Sequence, residues 1–387
     1  MAVSARPPTG RISVNKLLSR LLGSQALLAL DIGSSNLKML QIEHCSGSPV
    51  LRSAHSCPTP RGAVENGIVK NKQAVAASIR TMLDRHEVKG TRVLLAAGGP
   101  SLALRWIEMP LMSEADLKGA IKFEARKHLP FSADHAVVDC RILSRRARQA
   151  EDKLRVLLIA VPRTMVDSRF EAAELAGLDP VCMDIEPLAA VRAVARKIPK
   201  VELSWGTQPQ AVLVLGSAGT DFYVTKDSDL EFSRRIPIGG SNLAGIIAES
   251  IGPEGRHIDE HEALSRISFD ETGALQISGG SSELTDSLRA ETARLVQEIR
   301  RSCSYYQSLF PEGSYEGIVS KLSIGGGLAS VPGLSRHLSN ELDMAVEVAD
   351  PLAMLSLSSV GESLDMLNGK RMSFIVSAGL VAAHMAA

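Results

Sequence analysis

The chain has 387 residues, 45% apolar, 22% charged and 4% aromatic, enough for roughly two or three domains with real cores. So few aromatics argue against a stacking platform for single-stranded nucleic acid. Lys plus Arg and Asp plus Glu each number 43, so no net charge draws the chain towards phosphate backbones or anionic lipid.

Residues 1–15 are rich in Pro, Gly and Ser and read as loose. Asn15 to Leu22 has the spacing of a short helix with Leu17, Leu18, Leu21 and Leu22 on one side. Packing on the domain, disorder and lipid contact all remain open for it. Ala26 to Leu30 reads as a buried strand, Leu37 to His44 as its partner and Val50 to Cys57 as a third. Val75, Ile79, Met82 and Leu83 predict a helix over Asn71 to Arg85. Val93 to Ala97 is a strand that stops at Gly98-Gly99-Pro100. Ser113 caps a helix with Leu117, Ile121 and Ala125 on its apolar face, ending at Pro130.

Strands Ala136 to Leu143 and Leu154 to Ala160 flank a basic stretch, Arg141 to Arg148, that reads as a solvated loop. Thr164 to Ala176 is a helix stopped at Gly177. An alternating β/α pattern resumes at Pro180. Ala211 to Gly216 and Asp221 to Thr225 form a second strand–turn–strand that echoes Leu27 to Leu40, a weak sign of duplication. Helices follow at Leu243 to Ser250 and Asp286 to Phe310, on either side of a polar stretch around Gly273 to Ser282. Phe374 to His384 is a closing helix. The class is α/β with an insertion in each half.

The five cysteines (Cys45, Cys57, Cys140, Cys182 and Cys303) are scattered, which argues against a disulfide framework or zinc site and for a reducing compartment. No run approaches the ~20 apolar residues that span a bilayer. Leu17 to Leu30 is too interrupted for a signal peptide, so the chain reads as cytoplasmic.

Two glycine turns carry the chemistry. Asp31-Ile32-Gly33-Ser34-Ser35-Asn36 closes a hairpin whose N–H groups and hydroxyls suit phosphate oxygens. Asp31 would hold Mg²⁺, through water, because magnesium keeps most of its hydration shell. Lys38 would reach back over the hairpin as a point charge on the β- and γ-phosphates. An ordinary polar turn with an exposed lysine is the alternative. Near the C-terminus, Ile324-Gly325-Gly326-Gly327 precedes a helix started at Pro332-Gly333. Such a turn lets the backbone approach an adenosine and its α-phosphate. The spacing is neither a P-loop nor a Rossmann fingerprint, and a flexible turn is the alternative.

The hairpin, the distant glycine turn and the repeated halves resemble the actin/Hsp70/sugar-kinase superfamily, in which actin's hairpin also carries a lysine seven residues after its Asp. More narrowly, the chain resembles the family of type IV pilus assembly PilM proteins, relatives of the cell-division protein FtsA, over about residues 25–385. The resemblance rests on Ala120 to Phe131, Leu157 to Pro162, Ala176 to Pro180 and Asp184-Ile185-Glu186-Pro187. Further along it rests on Arg235 to Gly240, Glu298 to Ser302, Ser330 to Leu334 and Val346 to Pro351.

It implies an actin-like, ribonuclease H-like two-lobed α/β fold of four subdomains. Residues 1–25 would be flexible, 26–91 and 183–207 subdomain 1A, and 92–182 the 1C insertion. Subdomain 2A would take 208–245 and 318–370, 2B would take 246–317, and 371–387 would be a closing helix of 1A. In this family ATP sits between the lobes. The nucleotide set implied here is Asp31, Gly33, Ser34, Ser35, Asn36, Lys38, Gly216, Ser217, Gly219, Arg301, Gly325, Gly326, Gly327 and Ser330, with Mg²⁺ on Asp31. The family's 1A/1C groove receives the N-terminal cytoplasmic tail of PilN, an inner-membrane protein. Other platform and motor components would be partners, and contact with the inner membrane would run mainly through them.

The superfamily's second Asp-x-Gly is missing. Leu215 is taken as the position that lost the acid, and a leucine neither ligates metal nor polarises water. Glu186 would position water if it faced the cleft; an exposed loop acid is the alternative. The expectation is a scaffold that binds ATP, with at most slow ATPase activity. An active ATPase, a sugar-kinase-like phosphotransferase, an FtsA-like division protein and a secretion-system L-type scaffold are the alternatives.

Overall fold

Runs of leucine, isoleucine and valine build two five-stranded sheets in the computed structural model. It describes residues 26–45, 48–143, 153–195, 202–203, 206–227, 229–251, 259–355, 367 and 369–385. The helix expected over Asn15 to Leu22 and most of the basic stretch after Arg141 lie outside the described residues. The chain divides into two units, the first ending at Glu186 and the second beginning at Pro187, with residues 383–385 grouped with the first.

In the first unit, all six residues of β1 (Leu27–Ile32) are buried. This strand pairs antiparallel with β2 (Asn36–Cys45), which pairs antiparallel with β3 (Ser48–Pro58). The short strands β4 (Val64–Glu65) and β5 (Ile68–Val69) turn back through Asn66 and Gly67, both at positive φ. Helix α1 (Lys72–Arg85) starts where the Asn71 side chain accepts the Ala74 N–H, and it buries Val75, Ala76, Ile79 and Met82. Then come β6 (Arg92–Ala97) and β7 (Ala103–Pro110).

Ser113 caps α2 (Glu114–His128), whose buried face is Leu117, Ile121 and Ala125, the residues its spacing predicts. Strands β8 (Ala136–Ile142) and β9 (Lys153–Pro162) make an antiparallel sheet with β7, in the order β7-β9-β8. Helix α3 (Arg163–Leu175) ends where Gly177 turns left-handed at φ +84°. It packs on α1 and β5 and leads into β10 (Asp179–Ile185). β6 lies parallel to β1 and β10 parallel to β6, so the main sheet runs β10-β6-β1-β2-β3.

Helix α4 (Glu186–Ala195) carries the chain into the second unit, where β11 (Glu202–Leu203) and β12 (Gly206–Thr207) form a small hairpin. Next come β13 (Gln210–Leu215), β14 (Thr220–Lys226) and β15 (Asp229–Ile236), then α5 (Gly240–Ile251) and α6 (Glu260–Leu264). A ribbon of β16 (Ile267–Phe269) and β17 (Leu275–Ile277) falls partly in the stretch expected to be polar linker.

Helix α7 (Ser282–Gln307) begins four residues before the expected start, because Ser281 caps it by accepting the Leu284 N–H. Last come β18 (Lys321–Gly325), α8 (Leu334–Leu342), β19 (Ala345–Val348) and α9 (Ile375–Met385). The sheet order is β15-β14-β13-β18-β19, with β13–β14–β15 antiparallel and β13–β18–β19 parallel. Strand for strand this repeats the first unit's sheet, so the echo in the sequence is a duplication of topology.

Candidate functional site

Both hairpins close on one backbone pattern. The Gly33 N–H donates to the Asn36 carbonyl at 3.1 Å, and the Gly216 N–H donates to the Gly219 carbonyl at 3.1 Å. In the first hairpin Asp31 stands directly opposite Lys38, whose ammonium donates to Asp31 Oδ2 at 3.0 Å. Their side chains are only 7% and 16% exposed. Lys38 Nζ also lies 3.5 Å from where a Cβ on Gly33 would stand, so it reaches over the turn as its spacing suggested. Ser34 is the exposed residue of the turn. The Ser35 hydroxyl accepts from the Asn36 amide at 3.2 Å, and the Gly33 carbonyl accepts the Thr59 hydroxyl at 2.8 Å. A compact anion placed here would meet an ammonium, a hydroxyl and glycine backbone, and Asp31, already paired, suits a hydrated cation better than a bare one.

The register corrects the position of the lost acid. Counted back from Gly216 as Asp31 is from Gly33, the equivalent residue is Val214, and Leu215 matches Ile32. Leu215 is fully buried in the second unit's core with Leu213, Phe222 and Ile324. Neither Val214 nor Leu215 is an acid, so the missing function stands and only its address moves. Opposite Val214, where Lys38 stands in the first hairpin, is Asp221. Burial raises this carboxyl above the usual carboxylate value, and the Arg235 guanidinium 2.7 Å away opposes that rise. This acid is held within its own sheet.

The second turn is also packed from outside. A Cβ on Gly239 would stand 2.2 Å from the Ser217 carbonyl, and the Gly240 and Ser241 N–H groups donate to the Gly216 and Ser217 carbonyls. The Ser217 hydroxyl donates to Glu260, whose carboxylate also lies against Gly240 at the start of α5. Reading the sequence missed Glu260, which comes from a short helix capped by Asp259 and has no signal of its own.

The glycine triplet divides by task. A Cβ on Gly325 would press on Ile375 at 2.7 Å. Gly326 has φ +94°, donates its N–H to the Met372 carbonyl and leaves no room beside the Leu215 carbonyl. Gly327 opens onto free space, with nothing within 4 Å of its Cβ position. A 3₁₀ turn, Gly327–Ser330, comes between it and α8, and the Ser330 hydroxyl donates back to the Gly327 carbonyl at 2.7 Å. Arg301 lies half-exposed on α7, ion-paired with Glu298 of the same helix.

Glu186, the first residue of α4, lies across Gly98, where an added Cβ would stand 2.0 Å from its carboxylate carbon. Arg169 of α3 is 2% exposed and reaches the same place. It donates to the Gly67 carbonyl at 3.0 Å and the Ile32 carbonyl at 3.1 Å, and it stands 3.7 Å from Glu186 Oε1. The structure therefore connects Glu186 to the end of the strand that carries Asp31. Arg169 went unread because its partners lie far away along the chain.

A family model described as type IV pilus assembly protein PilM matches residues 29–384. A solved PilM–PilN type IV pilus biogenesis complex is similar at a TM-score of 0.77 and 23% identity, over 93% of this chain and 98% of that one. The ethanolamine utilization protein EutJ from Carboxydothermus hydrogenoformans is similar at a TM-score of 0.53 and 14% identity, over 93% and 90%. With the duplicated sheets, these likenesses make the fold actin-like. Among the described residues no helix is long and apolar enough to cross a membrane.

Proposed function

The chain belongs to the PilM family of type IV pilus assembly proteins, and from that premise we propose that it is a nucleotide-binding scaffold serving the inner-membrane platform of such a machine. The carrying observation is the Asp31–Lys38 hairpin, a paired acid and ammonium over a glycine turn. Gly33, Ser34, Ser35, Asn36 and Lys38 would receive the phosphates of ATP, and Asp31 would hold the hydrated Mg²⁺. Within the second unit, Gly216, Ser217, Gly219, Gly325 to Gly327, Arg301 and Ser330 would be the nucleotide-contacting residues. Glu260, which already accepts one hydroxyl, suits a sugar hydroxyl better than a phosphate. Bound Mg²⁺ would neutralise phosphate charge. Glu186 would position water, but Val214 supplies no second acid and Asp221 is paired with Arg235, so hydrolysis is slow or absent.

The partner is a PilN-type membrane protein, a reading the PilM–PilN complex of similar fold supports, and the part bound would be its N-terminal cytoplasmic peptide. Apolar anchors on an extended peptide would hold it, and the chain would reach the membrane through it and other platform components. The test combines calorimetry with Mg-ATP and a pull-down with that peptide, with and without nucleotide. The expected result is binding of both ligands, with nucleotide affinity lost in Asp31→Ala. Gly327→Val should weaken nucleotide binding at an unchanged ligand-free Tm, whereas Gly326→Val should lower that Tm because its site is strained and full. No binding of either ligand, or a kcat of roughly 1 s⁻¹ or more, contradicts the reading.

A further inference from the structure

We propose that Arg169 is a positioning residue for Glu186, and that together they set the preference of the first unit's site for metal-bound over metal-free nucleotide. The inference rests on the nucleotide reading above and deepens it. A guanidinium 2% exposed has to satisfy its donors inside the protein, and this one spends them on three separate chain segments. Nε holds the Gly67 carbonyl, one terminal nitrogen holds the Ile32 carbonyl, and the other faces Glu186 Oε1.

Glycines make the convergence possible. Gly67 has φ +80° and passes so near Gly98 that a Cβ would stand 1.9 Å from the Gly98 carbonyl, and the bare Gly98 leaves room for the Glu186 carboxylate. One planar fork thus fixes both the Ile32–Gly33 peptide, one residue past Asp31, and the acid at the start of α4. A lysine has one point of charge and cannot hold all three partners. The carboxylate so placed acts on the water shell of a cation held at Asp31, a role that matters only when the metal is present.

The readout is the ratio of Mg-ATP affinity to that for ATP in excess chelator, by isothermal titration calorimetry on the full chain. Arg169→Lys, Glu186→Gln and Gly98→Ala should each lower that ratio by roughly fivefold or more. In the Arg169→Lys/Glu186→Gln double variant it should fall no further than in the worse single one. Gly98→Ala displaces Glu186 while leaving Arg169 in place, and Glu186→Gln is nearly isosteric, so the test survives if Arg169→Lys fails to fold. A purely structural Arg169 would lower affinity for both forms alike and leave the ratio unchanged, which overturns the proposal, as does a Glu186→Gln ratio equal to wild type. A wild type that binds no nucleotide overturns the nucleotide reading and this inference with it. A wild type that binds while the variants keep its ratio overturns the inference alone.

Discussion

Asp139 lies on β8 in the inserted sheet, 9% exposed, and burial lifts its carboxyl to about 7. An aspartate in the unfolded chain titrates near ~3.9. Between those values the folded protein holds a proton that the unfolded chain has released, so stability is greatest below pH 4 for this group and is lost as pH rises to 7. Asp139→Asn should remove that dependence, leaving the variant more stable than wild type at pH 8 by on the order of 2–4 kcal/mol. At pH 4 the two should be nearly alike, and urea midpoints at both values check this. The glycine triplet gives a second lesson at this scale. Its sequence marks a place where side chains are unwelcome but does not say what excludes them. Ile375 and the Leu215 carbonyl do so at Gly325 and Gly326, while Gly327 faces open space.

At the scale of elements, helix α9 meets α4 at a single glycine. A Cβ on Gly379 would lie 1.8 Å from the Ala189 carbonyl, so the two backbones approach as closely as glycine permits. Gly379→Leu should force the helices apart, cost roughly 1–3 kcal/mol or more and lower the Tm in a calorimetric scan. The helices α1 and α2 were legible because Asn71 and Ser113 announce their starts and their apolar residues keep the helical period. Among the strands that were not are the short pairs β4–β5, β11–β12 and β16–β17, and β7, β15 and β19, which lie at the edges of their sheets. Edge strands are half solvated and carry charge, so Arg105 and Glu108 in β7, Arg234 and Arg235 in β15 and Glu347 in β19 dilute the apolar pattern. The candidate site divides in the same way. The Asp31–Lys38 hairpin is local and could be read from spacing, but Arg169 and Glu260 arrive by tertiary folding from distant elements.

At the scale of the whole molecule, equal numbers of acidic and basic residues leave no long-range field to draw the protein onto an anionic bilayer. The purified chain should therefore stay with the soluble fraction when floated with vesicles rich in anionic lipid. It should rise with them only when a PilN-type protein is reconstituted into the bilayer. Flotation of the chain alone would mean that it carries a lipid contact of its own.

The matched hairpins make the two halves interchangeable as backbone and different as chemistry. Asp31–Ser35 and Val214–Ala218 are the same length, begin at the same register and close on the same turn bond. The first can be written over the second at matched register, with the new acid at position 214 facing Asp221 instead of a lysine, provided Gly219 stays, because at φ +154° it lies against the Ile236 carbonyl and Arg235. The chain thus carries its own spare mould, a ready-made graft site where an acid can be installed and its effect on catalysis weighed against an unaltered twin in the same polypeptide.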